Sequence, residues 1–226
     1  MNSTLCHQCY SGCPFYLCIK DTGQGLLLNE VSEIFYKRKE LIFKQNTRST
    51  QIFYLKSGLV KLSIERRNEK NAILKILTPG SFIGINSFSK DLCQYSAAAL
   101  TNSEVCIIPK EVVFKLITSN PCFAQIIFDA ISEKYAYIIR KISSLSTKQM
   151  HGRLADVLLY LNSSEFNNTD VFSHITRQDI AELSGMALES VIRLLSEFKE
   201  DGLIRLDGKK IVINNEELIL KLSEIG

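Results

Sequence analysis

Residues 175–206, ITRQDIAELSGMALESVIRLLSEFKEDGLIRL, contain two short helical patterns with a turn between them. Thr176 is followed three residues later by Asp179, a capping-box-like start in which Asp replaces the usual Glu. Ile180, Leu183 and Met186 make one short apolar face, and Gly185 sits in the turn. A second helix is expected from about Ala187 to Glu200, with Val191, Leu194, Leu195 and Phe198 facing inward. Two short helices joined by a glycine-containing turn are the signature of a helix-turn-helix. The following stretch, GLIRLDGKKIVINN (202–215), reads as a β-hairpin around Asp207-Gly208, which makes the motif a winged one.

On the second helix, Leu188, Glu189, Ser190, Ile192 and Arg193 face outward near the N-terminus, where a recognition helix meets base edges. Arginine matches the two acceptors of guanine, and glutamate accepts from the cytosine amino group. Thr176, Arg177 and Gln178, at the head of the first helix, join them as candidate DNA contacts. A weak surface ion pair between Glu189 and Arg193 is the plainer alternative. Inside a helix-turn-helix frame the DNA reading is preferred. Net charge points elsewhere: residues 1–150 carry 19 Lys+Arg against 11 Asp+Glu (+8), and residues 151–226 carry 8 against 13 (−5). Charge alone would put nucleic acid on the N-terminal part. Only a few cations on one face need to touch phosphate, so the motif outweighs the balance.

Upstream the period changes. ELIFKQN (40–46), QIFYLKSGLVKLSIE (51–65), AILKILTPGSFIG (72–84), SAAAL (96–100) and SEVCIIP (103–109) are short β-branched or aromatic runs broken by turn residues. That texture predicts an antiparallel barrel or sandwich. NEVSEIFYKR (29–38) reads as a short amphipathic helix. From Lys110 onward the pattern is helical. Ile127, Ile131, Tyr135, Ile138, Ile142 and Leu145 recur at steps of 4, 4, 3, 4 and 3. Such a helix could lie on its own barrel, but the near-heptad spacing favours a seam with a second copy, a parallel homodimer. The expected layout is a Cys-rich arm (1–24), a sensor β-barrel (25–118), a dimerisation helix (119–146) and a winged helix-turn-helix domain (147–226), an α+β protein.

The composition, 46% hydrophobic and 23% charged over 226 residues, is that of a globular chain. No apolar run is long enough to span a bilayer, and no secretory signal opens the chain, so a cytoplasmic protein without membrane contact is expected. In a reducing compartment, clustered cysteines bind metal or do redox chemistry more often than they form disulfides. CHQCYSGCPFYLC (6–18) holds Cys6, Cys9, Cys13 and Cys18, four of seven cysteines. These four could hold a structural zinc, or the arm could bind nothing. Cys93 and Cys122 show no partner spacing and read as structural. Without a phosphate loop or a Gly-x-Ser-x-Gly elbow, and with His7, His151 and His174 scattered, an enzyme is not expected.

A jelly-roll-like barrel of the cyclic-nucleotide-binding kind, a long dimerisation helix and a C-terminal winged helix-turn-helix, in that order, resemble the Crp/Fnr family of bacterial transcription regulators over roughly residues 25–220. The resemblance is strongest in residues 175–204, where the family shows a Glu, three intervening residues and an Arg, matched by Glu189 and Arg193. Ile192 stands where the Fnr branch has Ser. The resemblance implies a homodimeric regulator that binds double-stranded DNA at specific sequences, and it leaves room for RNA polymerase as a further partner. In PGSFIGINSF (79–88), Ile85 falls where the cyclic-AMP-binding branch has its ribose-binding Glu. Tyr95, before Ser96, falls where that branch has its phosphate-clamping Arg. A phosphate without a cation or a nest has little to hold it, so no cyclic AMP is expected.

The Fnr branch joins an N-terminal Cys cluster to one Cys on a late barrel strand and holds an oxygen-labile [4Fe-4S] cluster. Cys106, in SEVCIIP, lies at the matching place. The arm spacing, C-x2-C-x3-C-x4-C, departs from the family's pattern. The resemblance therefore implies Cys6, Cys9 and Cys106 as ligands, with either Cys13 or Cys18, since soft thiolates suit iron–sulfur chemistry. The signal would be oxygen, nitric oxide or redox state. A barrel sensing another ligand such as haem, a structural zinc arm, and a small iron–sulfur electron carrier stay open beside it.

Overall fold

The computed structural model describes Cys13, Cys18 and residues 30–65, 71–88, 91–208 and 210–226. By its contacts the chain divides into two units: Met1–Glu65 with Ile76–Ala136, and Arg66–Lys75 with Tyr137–Gly226.

Two four-stranded antiparallel sheets carry the N-terminal part. One is ordered β1 (Ser32–Tyr36), β8 (Ser103–Pro109), β3 (Gln51–Ser57), β6 (Phe82–Ile83). The other is ordered β2 (Leu41–Phe43), β7 (Ser96–Ala99), β4 (Val60–Ile64), β5 (Ala72–Leu77). Ile52, Leu55, Val105 and Ile108 of the central strands β3 and β8 are fully buried, which accounts for their unbroken apolar runs. Gly58 turns β3 into β4 at φ 89°, and a Cβ there would collide with Ser103 and the backbone of Asn102. Within NEVSEIFYKR, the segment expected to be a helix, residues 32–36 form a strand. Its Ser32–Tyr36 stretch pairs with β8 from Ser32↔Ile107 to Tyr36↔Ser103. Ile34, Phe35 and Tyr36 are strand formers, and pairing satisfies the open edge of β8, so tertiary context overrides the local pattern.

Two helices follow, α1 (Lys110–Ser119) and α2 (Pro121–Thr147). Asn120 between them is extended and buried. Its side-chain oxygen accepts from the Phe123 N–H at 3.0 Å and caps α2, with Pro121 at the first helical position.

The C-terminal part runs α3 (Met150–Leu161), α4 (Val171–His174), α5 (Arg177–Ser184), α6 (Leu188–Glu200), β9 (Ile204–Asp207), β10 (Lys210–Ile213) and α7 (Glu216–Ile225). Leu154, Leu158, Ile180, Leu194, Ile204 and Ile219 are at most 1% exposed and fasten these elements to one another. Burying each such side chain stabilises the unit by about 1.5–3 kcal/mol. The division between the two units falls inside α2, whereas the sequence reading placed its boundaries at residues 118 and 146.

Candidate nucleic-acid interface and thiol core

The helix-turn-helix is built from its caps. Thr176 Oγ1 accepts from the Asp179 N–H at 3.1 Å, and Asp179 Oδ2 accepts from the Thr176 N–H at 2.8 Å, a reciprocal capping box at the head of α5. Gly185 ends α5 in the left-handed region at φ 65°, with its N–H on the Ala181 carbonyl. A Cβ on Gly185 would lie 2.9 Å from Leu145 Cδ2, so the turn packs against the end of α2. α6 then starts at Leu188, with Val191, Leu194, Leu195 and Phe198 buried.

That burial turns Glu189, Ile192 and Arg193 outward, with Ile192 49% exposed, and leaves Leu188 and Ser190 half-buried. At the head of α5, Thr176 and Gln178 are exposed and Arg177 is half-buried, where burial pulls its guanidinium pKa down. The Gln178 amide donates to Glu182 at 3.1 Å. Arg193 makes its ion pair with Glu197, not with Glu189. Glu197 also lies 3.3 Å from His151 Nε2 on α3. Sequence reading missed Glu197 and His151, because i−4 and i+4 partners look alike until the helix is packed. The β9–β10 hairpin pairs Lys210 with Asp207 across a turn that places Gly208 at φ 57°, as Asp-Gly predicts.

Along α2, Ile131, Tyr135, Ile138, Ile142 and Leu145 are exposed, each at least 39%, and Phe128 and Ile139 extend the stripe. Ile127, read as the first residue of that stripe, does not join it. It is 5% exposed and packs in the core with Phe123 and Leu116, because the first turns of α2 are held against the barrel.

Cys13, Cys18 and Cys106 are buried in one apolar cluster with Val31, Tyr54, Phe82, Ile85 and Phe123. Cys6 and Cys9 lie outside the described residues. Cys18 Sγ sits 3.3 Å from Cys122 Sγ in the first turn of α2, and the Asn120 side-chain amide donates to the Cys18 carbonyl at 2.6 Å. Burial, then the hydrogen bond to Cys122, pushes the Cys18 thiol up to about 11. Among the described residues, no three His, Cys, Asp or Glu side chains converge as a metal site. Cys122, which the sequence reading set aside as structural, has a partner that lies 104 positions away and that no spacing could reveal. Cys93 is buried.

Tyr95 and Ser96 are buried. The Gly84 N–H donates to the Tyr95 hydroxyl at 3.0 Å, and the buried Tyr95 ring packs 5.7 Å from Phe43. Ser96 Oγ accepts from the Gln45 N–H at 2.9 Å and donates to Glu65 at 2.8 Å. Ile85 is 3% exposed.

A two-sheet β domain, a long helix and a winged helix-turn-helix define a DNA-binding transcription regulator. Residues 33–120 match the Cyclic nucleotide-binding domain, and residues 152–222 match the Crp-like helix-turn-helix domain. Electron transport regulator A of Shewanella oneidensis is 29% identical over 92% of this chain and 86% of its own length. The Fumarate and nitrate reduction regulatory protein of Vibrio cholerae is 26% identical over 93% of this chain and 88% of its own. The structure of FixK2 from Bradyrhizobium japonicum shares the fold, with a TM-score of 0.77 at 20% identity over 85% of this chain and 96% of that one. The chain belongs to the Crp/Fnr family of transcription regulators, proteins that act by binding DNA and not by catalysis. Among the described residues, no helix is long and apolar enough to cross a membrane.

Proposed function

We propose that this regulator responds to oxygen, nitric oxide or redox state through a [4Fe-4S] cluster held by Cys6, Cys9 and Cys106 with either Cys13 or Cys18. The observation that carries this reading is the burial of Cys106, on β8, in the same apolar cluster as the two described arm thiols. The donor set fits the group, because thiolates are the ligands such clusters take. The printed names of the relatives, an electron transport regulator and a fumarate and nitrate reduction regulator, support a signal of this kind. When bound, the cluster supplies an oxidant-sensitive centre. Cys106 would anchor the cluster to β8, and the arm cysteines would tie the arm to that strand. Val31, Tyr54 and Phe123 share the buried cluster with Cys13, Cys18 and Cys106.

Two copies would cover each other's Ile131, Tyr135, Ile138, Ile142 and Leu145, and present two α6 helices to successive major grooves about one DNA turn apart. Glu189, Ser190, Ile192 and Arg193 would face bases, with Thr176, Arg177 and Gln178 toward the phosphates. RNA polymerase is the natural further partner, and the cytoplasm the natural place. No cyclic AMP is expected: Ile85 and Tyr95 are buried at the two positions where the resemblance puts the nucleotide's polar partners, and Ser96 faces the Glu65 carboxylate.

The test is protein purified without oxygen. Brown protein with about four irons per chain, bleached by air, and a Cys106→Ser variant that folds without iron are expected. Colourless anaerobic protein holding one zinc, indifferent to Cys106→Ser, would replace this reading with a structural-zinc arm.

A further inference from the structure

We propose that Cys18 and Cys122 form a peroxide-sensitive dithiol, a modification site at which a disulfide fastens the N-terminal arm to the first turn of α2. Two independent contacts bring the segments together. The sulfurs lie 3.3 Å apart, and the Asn120 amide holds the Cys18 carbonyl at 2.6 Å, so both the backbone and the side chain of Cys18 are registered on α2. Asn120 is itself fixed, since its oxygen caps α2 through the Phe123 N–H. A disulfide would close that 3.3 Å gap to about 2.05 Å.

The two thiols differ in access. Cys122 is exposed and Cys18 is buried. An oxidant arriving from solvent meets Cys122 first. The Cys122 sulfur attacks one peroxide oxygen, the O–O bond breaks, and hydroxide leaves and takes up the thiol proton as water, giving a sulfenic acid. Cys18 then attacks that sulfur, the S–S bond forms, the S–O bond breaks, and the second hydroxide leaves with the Cys18 proton. Two thiols lose two electrons, hydrogen peroxide gains them, and two waters are released. A dithiol reductant reverses the step.

This site goes beyond the iron–sulfur reading and does not rest on it. It uses Cys122, which that reading leaves out, and it operates in the chain without metal.

The experiment uses full-length protein freed of metal with a chelator and treated with one equivalent of hydrogen peroxide. Remaining thiols are capped with maleimide under denaturing conditions, and the links are located by tandem mass spectrometry. The expected result is a Cys18–Cys122 linked peptide, loss of both residues from maleimide labelling, and recovery of both with dithiothreitol. Cys122→Ser, an exposed change whose folding is checked by circular dichroism, should abolish the link and restore Cys18 labelling. Cys13→Ser should leave the link in place. Labelling of both Cys18 and Cys122 after peroxide, or a link from Cys18 to another cysteine with Cys122 still labelled, would overturn the proposal. Iron content of the untreated Cys122→Ser protein reports on the cluster reading separately.

Discussion

Arg193 donates to the carboxylate of Glu197 one turn further along the recognition helix, and Glu197 in turn reaches His151 on the supporting helix α3. Arg193, the side chain proposed to read guanine, is thus paired within its own helix. Such an exposed pair is weak, below about 1 kcal/mol, so DNA can take Arg193 from Glu197 at small cost.

Arg193→Ala should lose about 1–3 kcal/mol per half-site and flatten discrimination at one base pair. Glu197→Gln should do the opposite kind of thing: it removes a negative charge from the recognition helix and a competitor for Arg193. Binding to both specific and scrambled duplexes should tighten a few-fold, with base preference unchanged. Fluorescence anisotropy on the two duplexes, with a selection over randomised sites, separates these outcomes. A Glu197→Gln protein with altered base preference would mean that Glu197 itself faces a base.

Ile131→Asp and Ile138→Asp place a carboxylate in the exposed stripe of α2. If that stripe is a seam between two chains, each change costs several kcal/mol of association, because a buried unpaired charge is expensive. Folding should survive, since neither side chain belongs to a core. Light scattering at micromolar concentration should show a dimer for the wild type and a monomer for both variants.

The caps of the helix-turn-helix set its stability. Thr176→Ala removes the acceptor of the Asp179 N–H and should cost about 1 kcal/mol. Gly185→Ala should cost more than that, because it forces a side chain into the left-handed region and into Leu145 Cδ2. Denaturant midpoints of the two variants, compared with the wild type, give the order.

Lys141 predicts a pH dependence. It donates from α2 to the carbonyl oxygens of Ile73 and Leu74, and burial pushes its ammonium down to about 8. The unfolded chain keeps the ordinary lysine value of 10.5. Below pH 8 both states hold the proton and the residue adds no slope. Between pH 8 and 10.5 the unfolded state binds more protons, so this residue makes stability rise with pH, by at most about 1.4 kcal/mol per unit. The stability of the wild type relative to Lys141→Met should climb from pH 7.5 to 9.5 in urea titrations. A constant difference would remove Lys141 as the source.

Local chemistry made most of the fold legible. Thr176 with Asp179, Gly185, and Asp207-Gly208 each act within a few residues, and each does in three dimensions what its type implies. The apolar positions of α6 were legible for the same reason, since its period matches its burial. What depends on distant partners was not. Ser32–Tyr36 is a strand because β8 is beside it. Ile127 leaves the stripe because the barrel core claims it. Cys18 meets Cys122 across 104 positions, and no spacing rule connects an arm with a helix start. The C-terminal helix α7 went unread, although Asn215 caps it through the Leu218 N–H.

The uncovered stripe on α2 also bears on gene dosage. A chain that binds its operator only after covering Ile138 and Ile142 with a second chain delivers active regulator in proportion to the square of its copy number when copies are few. Halving expression would then cut the active form about fourfold by mass action, so the promoter that drives this gene would set a threshold as well as a level.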